Sequence, residues 1–116
     1  DQNYIKNIGQ KTQTISEIQG QYIGLMKFQN DGLTNLIDFY ENAKNMSAQD
    51  INPLNPNLPF EKSYMTDLLQ GLINNGNKVK AIPVHNGWLE IDSIDDYELY
   101  NKMNQIGSLS KFFSLS

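Results

Sequence analysis

Two carboxylates close a predicted strand in the stretch WLEIDSIDDYELY, residues 88–100. Alternation along that strand places Trp88, Glu90 and Asp92 on one side. Asp92 follows the strand directly, at its carboxyl end, where open α/β sheets place ligand sites. Two neighbouring carboxylates suit a divalent cation that prefers oxygen ligands and brings phosphates with it. The pattern therefore predicts either a divalent-cation site or a solvated corner between a strand and a helix.

The next acidic residues in the stretch have a structural explanation. Asp95 and Asp96 fall in the first turn of the predicted final helix, where negative charge complements the helix dipole. Ser93 or Asp95 can also cap that helix. Asp92 is the residue in this group that helix formation does not explain.

Three other positions are candidates for chemistry, each with an ordinary structural alternative. His85 is the single histidine, and in the turn VHNG it is more often a solvated residue than a base. Trp88 starts a strand, where a large ring commonly covers the end of a sheet. Glu61 follows a proline-rich loop and is placed to reach a substrate, whereas Asp67 suits the first turn of a helix.

Apolar spacing predicts the elements that must position these residues. The predicted strands cover residues 3–8, 21–28, 78–84 and 88–91. The predicted helices cover residues 33–44, about 64–73 and about 94–106. Gly76 and Gly107 are expected to end the last two helices, and residues 47–59 carry three of the four prolines and are predicted to be a long loop. The order predicts an α/β fold, a mixed sheet with packed helices.

Composition limits the classes of function. The chain has 116 residues, 39% of them apolar, which suits one globular domain. Nine basic residues stand against thirteen acidic ones and no arginine is present, so a nucleic-acid surface is not expected. No apolar run suits a membrane span. The lack of cysteine is compatible with a cytoplasmic protein, and no glycine-rich phosphate loop occurs in these residues.

The closing string GWLEIDSIDDYELY resembles the carboxyl-terminal signature of the small nucleotidyltransferases, which include phosphocholine cytidylyltransferases and sugar-1-phosphate nucleotidyltransferases. In that family a string W-x-E-I-D-[ST]-x-x-D-[LY] closes the catalytic domain. GQYIGLMKF at residues 20–28 and YMTDLLQGLINNGNKVKAIPV at residues 64–84 are similar to further elements of the family. The resemblance covers most of residues 1–106.

The resemblance implies transfer of a nucleotidyl group, with CMP expected, from a nucleoside triphosphate to a small phosphorylated acceptor such as phosphocholine or a sugar phosphate. Pyrophosphate would be released. The family binds Mg²⁺ through two aspartates, and the second matches Asp92, which makes Asp92 the expected catalytic residue and metal ligand with Glu90 beside it. The acceptor pocket would involve Tyr22, the proline loop and Glu61, and we include Trp88 among the expected substrate contacts.

The residues also depart from the family pattern. Its glycine-rich nucleotide loop and first metal aspartate have no match here, and the chain starts at Asp1. Residues 1–116 are therefore expected to be a single partial domain, the carboxyl-terminal half of a Rossmann-like nucleotidyltransferase domain, inactive alone. It would associate with its own amino-terminal half or with a second copy. The alternative is a non-catalytic α/β interaction module that has lost the nucleotide-binding half.

Overall fold

Three α-helices form where apolar spacing predicts them in the computed structural model, which describes residues 3–49 and 51–113. They are α1 (Asp31–Ser47), α2 (Met65–Asn74) and α3 (Ile94–Gln105). Short 3-10 helices form at Ile15–Glu17, Phe60–Lys62 and Leu109–Lys111. The three helix predictions are confirmed, and α1 extends beyond residues 33–44 at both ends.

Two glycines end α2 and α3 in the left-handed backbone conformation, as predicted. Gly76 has φ +86° and Gly107 has φ +71°, values that residues with a side chain adopt only with strain. In each case the next amide turns back to the helix: Asn77 N donates to Leu72 O at 3.0 Å, and Ser108 N donates to Met103 O at 2.9 Å. These bonds satisfy carbonyls that have no partner inside the helix.

A small apolar core forms where α1 and α2 meet. The buried apolar residues of the described chain are Ala43 on α1 and Leu68, Leu69 and Leu72 on α2. The helices approach closely at Gly71, because a Cβ atom built there would lie 2.8 Å from Phe39 Cζ. The leucine spacing of three and four residues explains why one face of α2 is buried.

The amino-terminal segment lies against α2 and is fixed there by Gln70. Its Oε1 accepts a hydrogen bond from Ile8 N at 2.8 Å, and its Nε2 donates to Lys6 O at 3.2 Å. Nearer the amino terminus, Tyr4 forms an isolated antiparallel bridge with Lys80. Residues 3–8 and 78–84, both predicted strands, therefore meet at one bridge and do not form a ladder.

The predicted proline loop is irregular, as expected, and a buried asparagine organises it. Asn52 is 5% exposed, and its Nδ2 donates to Leu58 O at 3.0 Å and to Ser63 Oγ at 2.8 Å. Its Oδ1 accepts from Leu54 N at 3.0 Å. Because these bonds satisfy the buried amide, the loop has a defined path between α1 and α2.

The predicted α/β fold with a mixed Rossmann-like sheet is wrong for residues 3–49 and 51–113, which contain no strand. A strand that is apolar on both faces is stable only between neighbouring strands. Within the described chain, residues 22–28 make no backbone hydrogen bond to another segment, and Leu25 is 83% exposed. Residues 82 and 91, in the other two predicted strands, are isoleucines that are 81% and 57% exposed.

The chain divides into two units, Asp1–Ile82 and Pro83–Ser116. The first unit contains α1, α2 and the proline loop, and the second contains α3 and the acidic stretch. The helices that the structure describes are all too short or too polar to span a lipid bilayer.

Candidate functional site

The acidic stretch of the second unit is organised by the side chain of Asp96. Its Oδ2 accepts hydrogen bonds from Ser93 N at 2.9 Å, Ser93 Oγ at 2.7 Å and Asp92 N at 3.2 Å. In return, Asp96 N donates to Ser93 Oγ at 3.1 Å. This reciprocal pair is a capping box that starts α3. Ser93 is therefore the N-cap, and Asp96 also fixes the backbone at Asp92.

These hydrogen bonds lower the pKa of Asp96 below 3.8, with the Ser93 hydroxyl as the largest cause and the Asp92 backbone amide next. Each donor stabilises the ionised carboxylate more than the protonated form. Because the folded pKa is below the unfolded value, Asp96 contributes stability above the unfolded pKa. That contribution is lost as the pH falls through the folded pKa.

We expect Asp96→Asn to remove this pH dependence. The free energy of unfolding of the native protein should exceed that of the variant at neutral pH, and the difference should shrink as the pH is lowered below about 4. Fluorescence of Trp88, the chain's single tryptophan, reports unfolding of the same unit. Asp95→Asn is the matched control, because Asp95 shares the first turn but makes no side-chain hydrogen bond there. Parallel pH curves for the native protein and Asp96→Asn would contradict the role of Asp96.

The two predicted metal ligands are both exposed. Asp92 and Glu90 lie in the irregular segment that precedes α3. Within the described ranges, no group of three or more His, Asp or Glu side chains is placed to hold a metal ion. Two carboxylates still suit Mg²⁺, because this ion is commonly bound through one or two carboxylates together with phosphates of the substrate. Asp92 and Glu90 therefore offer two exposed carboxylates of the type that Mg²⁺ binds, and the strand that was expected to place them on one side is not formed.

The turn before Trp88 is held by the carboxyl-terminal segment of the same unit. Gly87 N donates to Phe112 O at 2.8 Å, and Asn86 Nδ2 donates to Lys111 O at 3.4 Å. Trp88 itself is half-buried, and His85 is exposed in this turn. Asn86 has φ +61°, a conformation that asparagine adopts more readily than most residues.

Glu61, a predicted acceptor contact, lines a cavity of about 600 Å³ in the first unit. The wall combines opposite charges with aromatic rings, since Lys44 and Tyr40 of α1 line the same cavity as Glu61 and Phe60. The Tyr40 and Phe60 rings pack with their centroids 5.4 Å apart. Such a cavity can hold a ligand that has both an anionic group and a hydrogen-bond donor. Lys44 and Tyr40 were not predicted as site residues.

Tyr22, the other predicted acceptor contact of the first unit, does not line this cavity. Its side chain is half-buried, and its hydroxyl donates to Met26 Sδ at 3.2 Å. Asp67 lies in the first turn of α2, the structural role that the sequence predicts for it. Its Oδ2 accepts from Tyr64 N at 2.8 Å and from Asn55 Nδ2 at 3.3 Å, which ties the proline loop to the start of α2.

Comparison with known proteins identifies an informative relative. Over 96 residues the chain is 43% identical to the CTP:phosphoglutamine cytidylyltransferase of Campylobacter jejuni. The match covers 83% of this chain and 36% of the relative, so the chain spans little more than a third of that protein. No protein-family model and no solved structure matches the sequence. The similarity supports a relationship to cytidylyltransferases.

Proposed function

We propose that the protein is a cytidylyltransferase that moves a CMP group from CTP to a small phosphorylated acceptor. The observation that carries this proposal is the 43% identity over 83% of the chain to a CTP:phosphoglutamine cytidylyltransferase. In the reaction, a phosphate oxygen of the acceptor bonds to the α-phosphorus of CTP. The bond from that phosphorus to the oxygen bridging the β-phosphate breaks, and pyrophosphate leaves with the electron pair.

This chain would supply part of that enzyme. It spans 36% of the relative, and its described residues include no glycine-rich phosphate loop. We therefore assign the contacts to the triphosphate of CTP to other parts of the intact protein. The chain alone is expected to be inactive.

In the second unit, Asp92 is proposed as the catalytic carboxylate that binds Mg²⁺, with Glu90 as a second oxygen ligand. The hydrogen bond from Asp92 N to Asp96 Oδ2, 3.2 Å long, supports this assignment because it fixes the backbone that carries the ligand. Bound magnesium would neutralise negative charge on the substrate phosphates. Trp88, two residues before Glu90, stays a proposed substrate contact.

In the first unit, the Glu61 cavity is proposed to hold the acceptor. The Lys44 ammonium offers a partner for the acceptor phosphate, and the Glu61 carboxylate can accept hydrogen bonds from an amine or amide of the acceptor. Phosphoglutamine, the acceptor in the relative's name, combines a phosphoryl group with nitrogen donors. Tyr22, which does not line this cavity, stays a proposed acceptor contact of the first unit.

The direct test is release of pyrophosphate by the intact protein. Incubated with CTP, Mg²⁺ and phosphoglutamine, the protein should release pyrophosphate in a reaction that requires both substrates. Phosphocholine and a sugar 1-phosphate serve as comparison acceptors. No release from CTP with any phosphorylated acceptor would refute the proposal and would favour a non-catalytic interaction module.

Glu61→Gln should raise the KM for the acceptor about tenfold and leave the KM for CTP unchanged, because hydrogen bonds to charged groups contribute on the order of 1.5–3 kcal/mol. Steady-state kinetics with each substrate varied in turn measure both constants. Glu41→Gln is the matched control, since Glu41 is exposed on α1 and does not line this cavity. An unchanged acceptor KM in Glu61→Gln would show that Glu61 does not contact the acceptor, so the acceptor would bind elsewhere.

A further inference from the structure

A second cavity of about 430 Å³ lies between α1 and the turn that follows α2. It shares no lining residue with the Glu61 cavity. Asn35, Asp38 and Asn42 line it from α1, and their spacing places them on one face of that helix. Asn75 and Asn77 line it from the turn. The cavity is therefore bordered by four carboxamides and one carboxylate.

Part of this lining is held in place by internal hydrogen bonds. Asn77 Nδ2 donates to Leu72 O at 3.2 Å, the carbonyl that also accepts from Asn77 N at 3.0 Å. Asn77 Oδ1 accepts from Asn35 Nδ2 at 3.2 Å. The Asn35–Asn77 bond joins α1 to the turn, so the two walls are fixed relative to each other.

The rest of the polar lining is exposed to solvent, where a ligand can reach it. The side chains of Asp38, Asn42 and Asn75 make no hydrogen bond to another described residue. Asn75 is the C-cap residue of α2, which explains an asparagine there. Asn42 lies inside α1, where asparagine is a weak helix former. Capping therefore does not explain the amide at position 42.

The cavity also has an apolar side and an unbalanced charge. Phe39, Ala43 and Met46 line it from α1, and Pro53 lines it from the proline loop. No lysine lines it, and Asp38 is its single ionisable residue. A carboxylate without a cation disfavours phosphates and other anions, so this cavity does not suit the nucleotide or the phosphorylated acceptor.

We propose that this cavity binds a neutral, polyhydroxylated ring of monosaccharide size. Each carboxamide can both donate and accept hydrogen bonds, and so can each hydroxyl of the ring, so the two kinds of group are complementary. Asp38 adds a further acceptor. The C–H face of such a ring would lie against Met46 and Pro53. A volume of about 430 Å³ falls in the range of small-molecule sites. A planar base is disfavoured because Phe39, the single aromatic residue here, has its ring tip against Gly71.

Binding is tested by titrating the intact protein with methyl α-glucopyranoside, N-acetylglucosamine and myo-inositol, followed by saturation-transfer NMR. At least one probe should bind with a Kd on the order of 1 mM, and Asn42→Leu should weaken that binding about tenfold. Asn45→Leu is the matched control, because Asn45 is exposed on α1 and does not line the cavity. It should leave the Kd unchanged.

Four results would overturn the proposal. They are the absence of saturable binding by all three ring probes, undiminished binding in Asn42→Leu, tighter binding of cytidine than of every ring probe, and competition by inorganic phosphate for the bound probe. Position 42 is exposed, so Asn42→Leu is expected to fold, and its melting temperature is measured alongside. Failure of this proposal can be distinguished from failure of the proposed cytidylyl transfer, because probe binding and pyrophosphate release are measured separately.

Discussion

Asp92→Asn is expected to lower the turnover of the intact protein by about 100-fold or more, the range found when a group that stabilises transition-state charge is removed. The substitution keeps the shape of the side chain and removes its negative charge, so a metal ion would lose a ligand. Asp92 is exposed, and in the described structure it is the backbone amide of Asp92 that donates to Asp96. The free energy of unfolding should therefore change by less than about 0.5 kcal/mol.

The comparison between kinetics and stability makes this prediction specific. Pyrophosphate release gives the turnover, and urea unfolding gives the stability of the same preparations. Asp95→Asn is the control, because it removes one charge three residues away and should leave turnover close to the native value. Equal turnover in Asp92→Asn and the native protein would exclude Asp92 as the catalytic carboxylate.

Leu69→Ala is expected to lower the free energy of unfolding by about 2–5 kcal/mol. Leu69 is 2% exposed on α2, and the described chain buries few other apolar side chains. A domain is typically stable by about 5–15 kcal/mol, so the loss is a large fraction of the total. Urea unfolding followed by circular dichroism at the helical band measures it.

The matched control is Leu33→Ala, which makes the same substitution on α1 at a position 44% exposed. Less apolar area is removed from contact there, so the loss should stay below about 1 kcal/mol. Similar losses in the two variants would show that the buried leucines of α2 do not dominate the stability of the first unit.

Helices were predictable from the sequence because their signals are local. Leucine spacing in α2, the glycines at positions 76 and 107, and Ser93 with Asp96 at the start of α3 all act within a few residues. The sheet was not predictable in this way, because a strand requires a partner strand that its own sequence does not specify. Residues 21–28 are apolar enough for a buried strand, yet the backbone of residues 22–28 makes no hydrogen bond to another described segment.

The predicted site residues stay predictions, and the sequence indicated only part of their surroundings. Asp92 was selected because helix capping does not explain it, and the structure agrees that Ser93 and Asp96 form the cap. The hydrogen bond from Asp92 to Asp96 was missed, although the four-residue spacing is within reach across one helical turn. Lys44 and Tyr40 could not be paired with Glu61 from sequence, since their meeting depends on how α1 packs beside the segment after the proline loop.

The hydrogen bonds of Asn52 have a consequence for the rate at which a ligand enters the Glu61 cavity. Leu54, which lines that cavity, is already fixed by its backbone bond to Asn52 Oδ1, and Asp67 holds Asn55 beside it. The proline loop has therefore already lost conformational freedom during folding. Binding of a ligand requires little further ordering of this wall. Association with this cavity is expected to be limited by diffusional encounter and not by closure of the proline loop.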